Sequence, residues 1–413
     1  RSRVRTSMLD FSLRKARRHE GTKARRQSRA LRAYMPSCLR ASSWAGAAAA
    51  TIATAAAQTN APSPRDSWPM FRGDLQNRGV ANTKLADKLE LKWKFATTPD
   101  ESIESTAAIV DGVAYVGATD GHLYAINLKD GMLRWKFRSG EPIKSSPTIV
   151  AGLAIFGDEL GTLHGVAIAD GKSRWAFKAG AEIVSSAIPV DGKLIFGDYY
   201  GGLHCVRQSD GSAVWKYETE DKLHGTPGVF GEHVLVAGCD AKLHVVRVAD
   251  GKADRTIPLG SVCGASAAGD ERGIVLGTYG NQVLGIDWKN AKLLWEFEDA
   301  DRQFPFVASA AIRDDLAIVG GRDKRLRAFD RMTGDVRWTF TTKGRLDGSA
   351  VIVGERVVIG AMDGVLHMLD LRDGRETWRY EVGSPLIASP AIAEGVLVIG
   401  AADGVVYCFG ERQ

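Results

Sequence analysis

The chain of 413 residues is long enough for two or more ordinary domains or for one repeat array, and its 45% hydrophobic and 25% charged residues are ordinary for a soluble globular protein. Its formal charge of +5 misleads, because residues 1–57 hold 13 of the 54 Lys and Arg but only 2 of the 49 Asp and Glu, leaving a net of −6 on the rest. The basic excess belongs to the leader, which removes the main support for a nucleic-acid partner.

Residues 1–34 lack hydrophobic patterning and do not begin with Met; they are expected to be a non-native or disordered basic extension. Residues 35–57 have the form of an export signal: a basic start at Met35–Arg40, a small-residue apolar run from Ala41, and an A-x-A site ending at Ala57. That run is too short and too weakly apolar for a membrane span. The mature chain is therefore expected to be periplasmic or secreted, with no transmembrane segment. Cys38 follows no apolar run and is a poor site for lipid attachment. Residues 58–90 are expected to be a linker and lead-in segment. Of the other cysteines, Cys205, Cys239, Cys263 and Cys408, none form C-x-x-C, and their spacing pairs none of them. They are expected to be small buried thiols on strands.

From residue 91 to 410 the chain repeats. "DGHLYAINLKDGMLRW" ends at Trp135, and related stretches end at Trp175, Trp215, Trp338 and Trp378. Aligned on the apolar residue twelve before each Trp, the repeats fall at Leu123, Leu163, Leu203, Leu243, Val283, Leu326, Leu366 and Val406. The steps are 40 residues, except one of 43 between Val283 and Leu326. Each unit has four short β-type runs separated by Asp-Gly or Ala-Gly turns, and no ten-residue run has helical periodicity. Four strands per unit at this period predict an all-β, eight-bladed β-propeller of four-stranded antiparallel blades. The last unit supplies only three strands, and "LELKWKFAT" near Trp93 is an orphan. Strand 91–96 is expected to complete the last blade and close the ring.

The fixed letters have structural reasons. The hairpin Gly tolerates φ > 0. The Trp four residues later is expected to dock on the neighbouring blade with its N–H on a carbonyl; these residues are Trp93, Trp135, Trp175, Trp215, Trp295, Trp338 and Trp378. Arg255 replaces Trp in one repeat, so that interface is expected to be weaker or differently packed, and Arg255→Trp is not expected to lower the melting temperature.

"NLKDGMLRWKF", "AIADGKSRWAF" and "DLRDGRETWRY" resemble the docking repeat of pyrroloquinoline-quinone (PQQ) type propellers. "IKSSPTI" and "LIASPAI" are similar to that family's first strand, and "SWPMFRGDLQNRGV" to its lead-in. The resemblance covers residues 67–410. It implies the fold, and it is shared by quinone-dependent alcohol dehydrogenases, by a propeller lipoprotein that helps assemble outer-membrane β-barrels, and by sensor domains. The dehydrogenases are longer and use PQQ, a Ca²⁺ and adjacent cysteines; this chain has no Cys-Cys pair and no long insert, so no cofactor, no metal and no catalytic residue are expected. The leading expectation is a non-enzymatic, monomeric scaffold of the cell envelope for a protein or peptide partner, with a PQQ-dependent dehydrogenase-like protein or a ligand-sensing propeller as alternatives.

Candidate site positions are those that vary while the scaffold repeats. Nineteen residues before each aligned position, a ring at the axial mouth offers Glu104, Lys144, His224 and Asp347 for a small polar ligand. Four residues before it, on the second-to-third strand loops, stand Tyr199, Tyr279, Arg322 and Met362, types common at interfaces. The 43-residue step places Arg302, Phe304 and Phe306 in a longer loop on the same face, either as a partner anchor or folded back as a plug. His164, His204, His244 and His367 share one repeat position on different blades and are expected to be partly buried and structural.

Overall fold

The computed structural model describes residues 66–411; the extension at 1–34, the export segment at 35–57 and the start of the lead-in lie outside the described residues. Those residues form 33 strands and no helix. Eight four-stranded antiparallel blades make an eight-bladed β-propeller, and the remaining strand, Val80–Ala81, is added to the sheet of blade 7. Blade 1 consists of Ala108–Val110, Val113–Gly117, His122–Asn127 and Leu133–Arg138, from the axis outwards. Its second strand is buried at every position, whereas its fourth alternates between half-buried and exposed. Middle strands are covered on both faces by neighbouring blades and so read as continuous apolar runs; the rim strand meets water. Blade 8 comprises Ala391–Ala393, Val396–Gly400, Val405–Gly410 and, from the other end of the chain, Glu90–Ala96. That outer strand runs antiparallel to Val405–Gly410, with Trp93 opposite Cys408. The ring is closed, and every blade edge is covered by a neighbour or turned to the rim.

Each repeat tryptophan joins two blades. Trp93 donates its indole N–H to the carbonyl of Leu128 on blade 1 at 2.8 Å, and Trp135 does the same to Ile168 on blade 2 at 2.9 Å. Trp175, Trp215, Trp295 and Trp338 repeat the bond to Gln208, Val248, Arg331 and Leu371. The indole lies on the hairpin glycine of the next blade. A methyl group on Gly131, Gly171, Gly211, Gly251, Gly334 or Gly374 would come within 2.8 Å of that ring. The glycine is thus required twice, for its positive φ and for the close approach.

Two joints depart from this pattern. Trp378 donates to Leu89, beside the N-terminal strand, at 3.1 Å. Arg255 donates to the carbonyl of Lys289, and the residue standing in the glycine position there is Ala291, with φ 52°. This corrects the simple expectation for Arg255: the missing indole and the added methyl go together, so a tryptophan placed at 255 meets a Cβ.

The lead-in segment is a plug. Its backbone winds round the lower channel and takes the N–H of one inner strand after another. Trp68, Pro69, Leu75, Gln76, Arg78 and Gly79 accept from Ile109, Ile149, Val229, Gly269, Ile312 and Ile352, on blades 1, 2, 4, 5, 6 and 7. On blade 3 the equivalent residue is Pro189, which has no N–H to satisfy. The buried Arg72 side chain donates to Ala350 and Ala310 carbonyls at 2.6 and 2.9 Å, and Asn77 to carbonyls of Thr226, Pro227 and Ala267. Val80–Ala81 then pairs in parallel with Ile352 and Val353.

Candidate functional site

The fourth-to-first and second-to-third strand loops emerge on one face of the ring, here the upper face. At its centre is an axial cavity of about 190 Å³, floored by Phe71 of the plug. Glu104, Lys144, Val184, His224, Gly264, Val307, Asp347 and Ile387 all line it, so the structure brings the four ionisable residues found by counting to one mouth. Lys144 lies 2.7 Å from Glu159 and 3.9 Å from Glu104. The hydrogen bond to Glu159 holds Lys144 above the usual lysine range despite partial burial. Asp347 is bracketed by Arg322 at 2.9 Å and Arg345 at 3.0 Å. His224 pairs its Nδ1 with the Tyr199 hydroxyl at 2.7 Å, and burial pushes its pKa down. Burial pushes Tyr199 up to about 12. Gly264 leaves room for Tyr279: a methyl there would lie 3.0 Å from the tyrosine ring.

Two residues further along, just before each first strand, is a ring of hydroxyls: Thr106, Ser146, Ser186, Thr226, Ser266, Ser309, Ser349 and Ser389, all lining the same cavity. The N–H of each of the first seven donates to the hydroxyl of the next blade at 2.8–3.1 Å. The sequence showed this as Ser or Thr seventeen residues before every aligned position, a signal read only as part of a first-strand signature.

The repeated histidines latch the upper loops. His164, His204 and His244 bond through Nε2 to Asp158, Asp198 and Asp240 at 2.7, 2.6 and 2.9 Å. Tyr124, Arg327 and Tyr407 do the same in blades 1, 6 and 8, to Asp120, Asp323 and Asp403. His367 instead pairs its Nδ1 with Glu376 at 2.6 Å. The loop carboxylates also cap N–H groups of their own turn, as Asp198 does for Tyr200 and Gly202. Burial alone would raise Asp198, but His204 and these two N–H groups outweigh it and hold the carboxyl below its usual range. These His–Asp pairs sit one per blade, and among the described residues no group of three or more His, Cys, Asp or Glu is placed to hold a metal. The four cysteines among the described residues are free: Cys205, Cys263 and Cys408 are buried, their thiols pushed up to about 12 by that burial, and Cys239 is half-buried.

The residues singled out for a partner are placed unequally. Tyr279 and Phe304 are exposed by 39% and 48%, and Arg302 is exposed. Tyr199, Met362 and Arg322 are half-buried, the last drawn towards the axis by Asp347. Phe306 is a correction. It is buried, against Phe297 and beside Arg327, and a methyl on Gly277 of the preceding blade would lie 2.6 Å from its Cβ. It neither plugs the channel nor faces a partner. It occupies the core position that Ile143, Ile183 and Leu346 hold over Gly117, Gly157 and Gly320 elsewhere. Leu160, Tyr200 and Val262, exposed by 64, 82 and 38%, were missed. In blades 2 and 3 the loop aspartate stands two residues earlier, at Asp158 and Asp198, and Leu160 and Tyr200 take the place it has in the loops of blades 1, 4, 6, 7 and 8, a visible signal.

An eight-bladed ring with tryptophan joints defines a PQQ-type propeller. The family model described as outer membrane protein assembly factor BamB matches residues 86–223, 200–342 and 322–412. The chain belongs to that family. No curated protein matches it. Among solved structures it is similar to BamB from Moraxella catarrhalis, at 18% identity and a TM-score of 0.66, covering 78% of this chain and 100% of that one. It is similar to quinohemoprotein alcohol dehydrogenase from Comamonas testosteroni at 14% identity and a TM-score of 0.72, covering 85% and 82%. A computationally designed protein, Ika8, matches at 15% identity and a TM-score of 0.68, covering 76% and 98%. At these identities the likeness establishes the fold.

Proposed function

We propose that this propeller is an exported, non-enzymatic scaffold that docks a protein partner of the outer-membrane assembly machinery on its upper face. The observation that carries this reading is an arc of exposed apolar side chains: Leu160, Tyr200, Val262, Tyr279 and Phe304 follow one another in the upper loops from blade 2 to blade 6. Leu160 and Tyr200 stand on loops latched by His164–Asp158 and His204–Asp198 and so lose little entropy on docking, and an apolar arc on one face marks an interaction site. Arg302 and Arg322 supply guanidinium groups beside the arc, a type enriched at binding hot spots. Binding of purified assembly components is expected to weaken in Phe304→Ala and Arg322→Ala; unchanged binding in both sinks the reading.

A quinone with calcium fits the residues poorly. A hard cation needs several convergent oxygens. The mouth carboxylates are already engaged by cations, Asp347 by Arg322 and Arg345, and Glu104 by Lys144. Purified protein incubated with PQQ and Ca²⁺ is expected to show no dye-linked alcohol oxidation; a bound quinone spectrum with turnover would replace the scaffold reading.

A further inference from the structure

The axial cavity has features that the blade scaffold does not need. Its eight hydroxyls are all more than nine-tenths buried. Seven of them accept a backbone N–H from the neighbouring blade, yet none donates its own hydrogen to a protein acceptor among the described residues. A buried donor without an acceptor is costly, and the space these hydrogens reach is the cavity itself. The ring therefore presents donors to whatever occupies the axis.

Above the hydroxyls, where Glu104, Lys144 and Asp347 line the cavity and Glu159, Arg322 and Arg345 stand behind them, the charges form two poles. On the side of blades 1 and 2, Lys144 stands between the carboxylates of Glu104 and Glu159, an excess of one negative charge. On the side of blades 6 and 7, Asp347 stands between the guanidinium groups of Arg322 and Arg345, an excess of one positive charge. Glu182 and Lys222, in the register of Arg345 on blades 3 and 4, add one charge of each sign, so the charges still cancel and the mouth disfavours a net anion or a net cation and favours a molecule carrying both charges. About 190 Å³ is room for one small molecule, against about 30 Å³ per water in the liquid. Val184, Val307 and Ile387 supply apolar lining between the poles.

We infer that the axial cavity is a binding site for a small zwitterion of the free α-amino acid class. Its carboxylate faces Arg322 and Arg345 over the hydroxyls of Ser309 and Ser349, and its ammonium faces Glu104 and Glu159. The site lies at the centre of the upper face and shares Arg322 with the docking face but uses none of the exposed apolar arc, so Phe304→Ala reads partner docking alone and Glu159→Gln reads the cavity alone.

The test is calorimetric titration of the purified protein with glycine, L-alanine, L-threonine and L-phenylalanine, alongside propionate and ethylamine, which each carry only one of the two charges. At least one amino acid is expected to bind at least about tenfold more tightly than propionate and ethylamine. Val184→Trp, which fills the mouth and removes no charge, is expected to abolish binding. Glu159→Gln and Arg345→Gln each remove one charge from a different pole at a partly exposed position, and each is expected to weaken binding at least about tenfold with an unchanged melting temperature. The inference is overturned if none of the four amino acids binds, if propionate or ethylamine binds as well, or if Val184→Trp binds like the parent.

Discussion

The joint between blades 4 and 5 and the joint between blades 6 and 7 solve one problem differently. At the second, Trp338 bonds Leu371 and lies against Gly374; at the first, exposed Arg255 bonds Lys289 and the glycine is Ala291. The comparison shows that Trp and Gly are one feature and not two. The indole needs a residue without a Cβ opposite it, and where the indole is lost that requirement lapses. Both joints keep a donor to a backbone carbonyl, which is the part of the joint that cannot be dispensed with when the carbonyl is covered.

The largest effect expected is loss of the buried indole. Trp338→Ala is expected to cost about 3–5 kcal/mol in a denaturant melt, whereas Arg255→Ala, at an exposed position, is expected to change stability by about 0.5 kcal/mol. Equal losses would contradict the difference between the joints. Next comes the glycine: Gly374→Ala pushes a methyl into the Trp338 ring at positive φ and is expected to cost about 1–3 kcal/mol, while Ala291→Gly is expected to stay within about 1 kcal/mol. Sharper still is the double replacement. Arg255→Trp alone is expected to destabilise, and Ala291→Gly is expected to rescue it with a coupling of about 0.5–3 kcal/mol; additive effects would show that the two positions do not face each other.

The smallest effect is on pH. Burial holds His224 and His244 below the usual histidine range, in the second case against the pull of Asp240. The unfolded chain takes up protons near a pH of about 6.5, where the folded sites resist them. The unfolded state then binds more protons, so stability falls as pH drops below that value, until the depressed folded-state values are reached. Denaturant midpoints measured between neutral pH and about 5 are expected to decline, and less steeply in His244→Gln. A midpoint that rises on acidification contradicts this sign.

The repeated part of the molecule was legible because each letter has a local cause: a hairpin needs Gly, a blade contact needs Trp, and counting between them gives blades, closure and the axial mouth. Counting also held the answer for Phe306. It stands twenty residues before Leu326, a register that is apolar in every repeat, from Ile103 and Ile143 to Leu386, but the three-residue insertion just before it drew attention to the loop. The plug was not legible. Its bonds are made by backbone carbonyls to strands up to hundreds of residues away, and nothing in "PMFRGDLQNRG" except its turn residues signals which N–H groups it meets. Tyr200 and Leu160 were legible only as an exception, through the aspartate that moved.

The central claim is that the repeats build the ring while the upper loops carry the function, and one titration tests it. Two variants are compared for binding to purified outer-membrane assembly components: Tyr200→Ser with Phe304→Ser on the upper face, and Leu133→Ser with Val336→Ser on the exposed rim strands. All four residues are exposed, by 82, 48, 45 and 40%. The upper-face pair is expected to weaken binding at least about tenfold with an unchanged melting temperature, and the rim pair to leave it intact. Loss of binding in the rim pair, with the upper-face pair binding like the parent, would contradict the account.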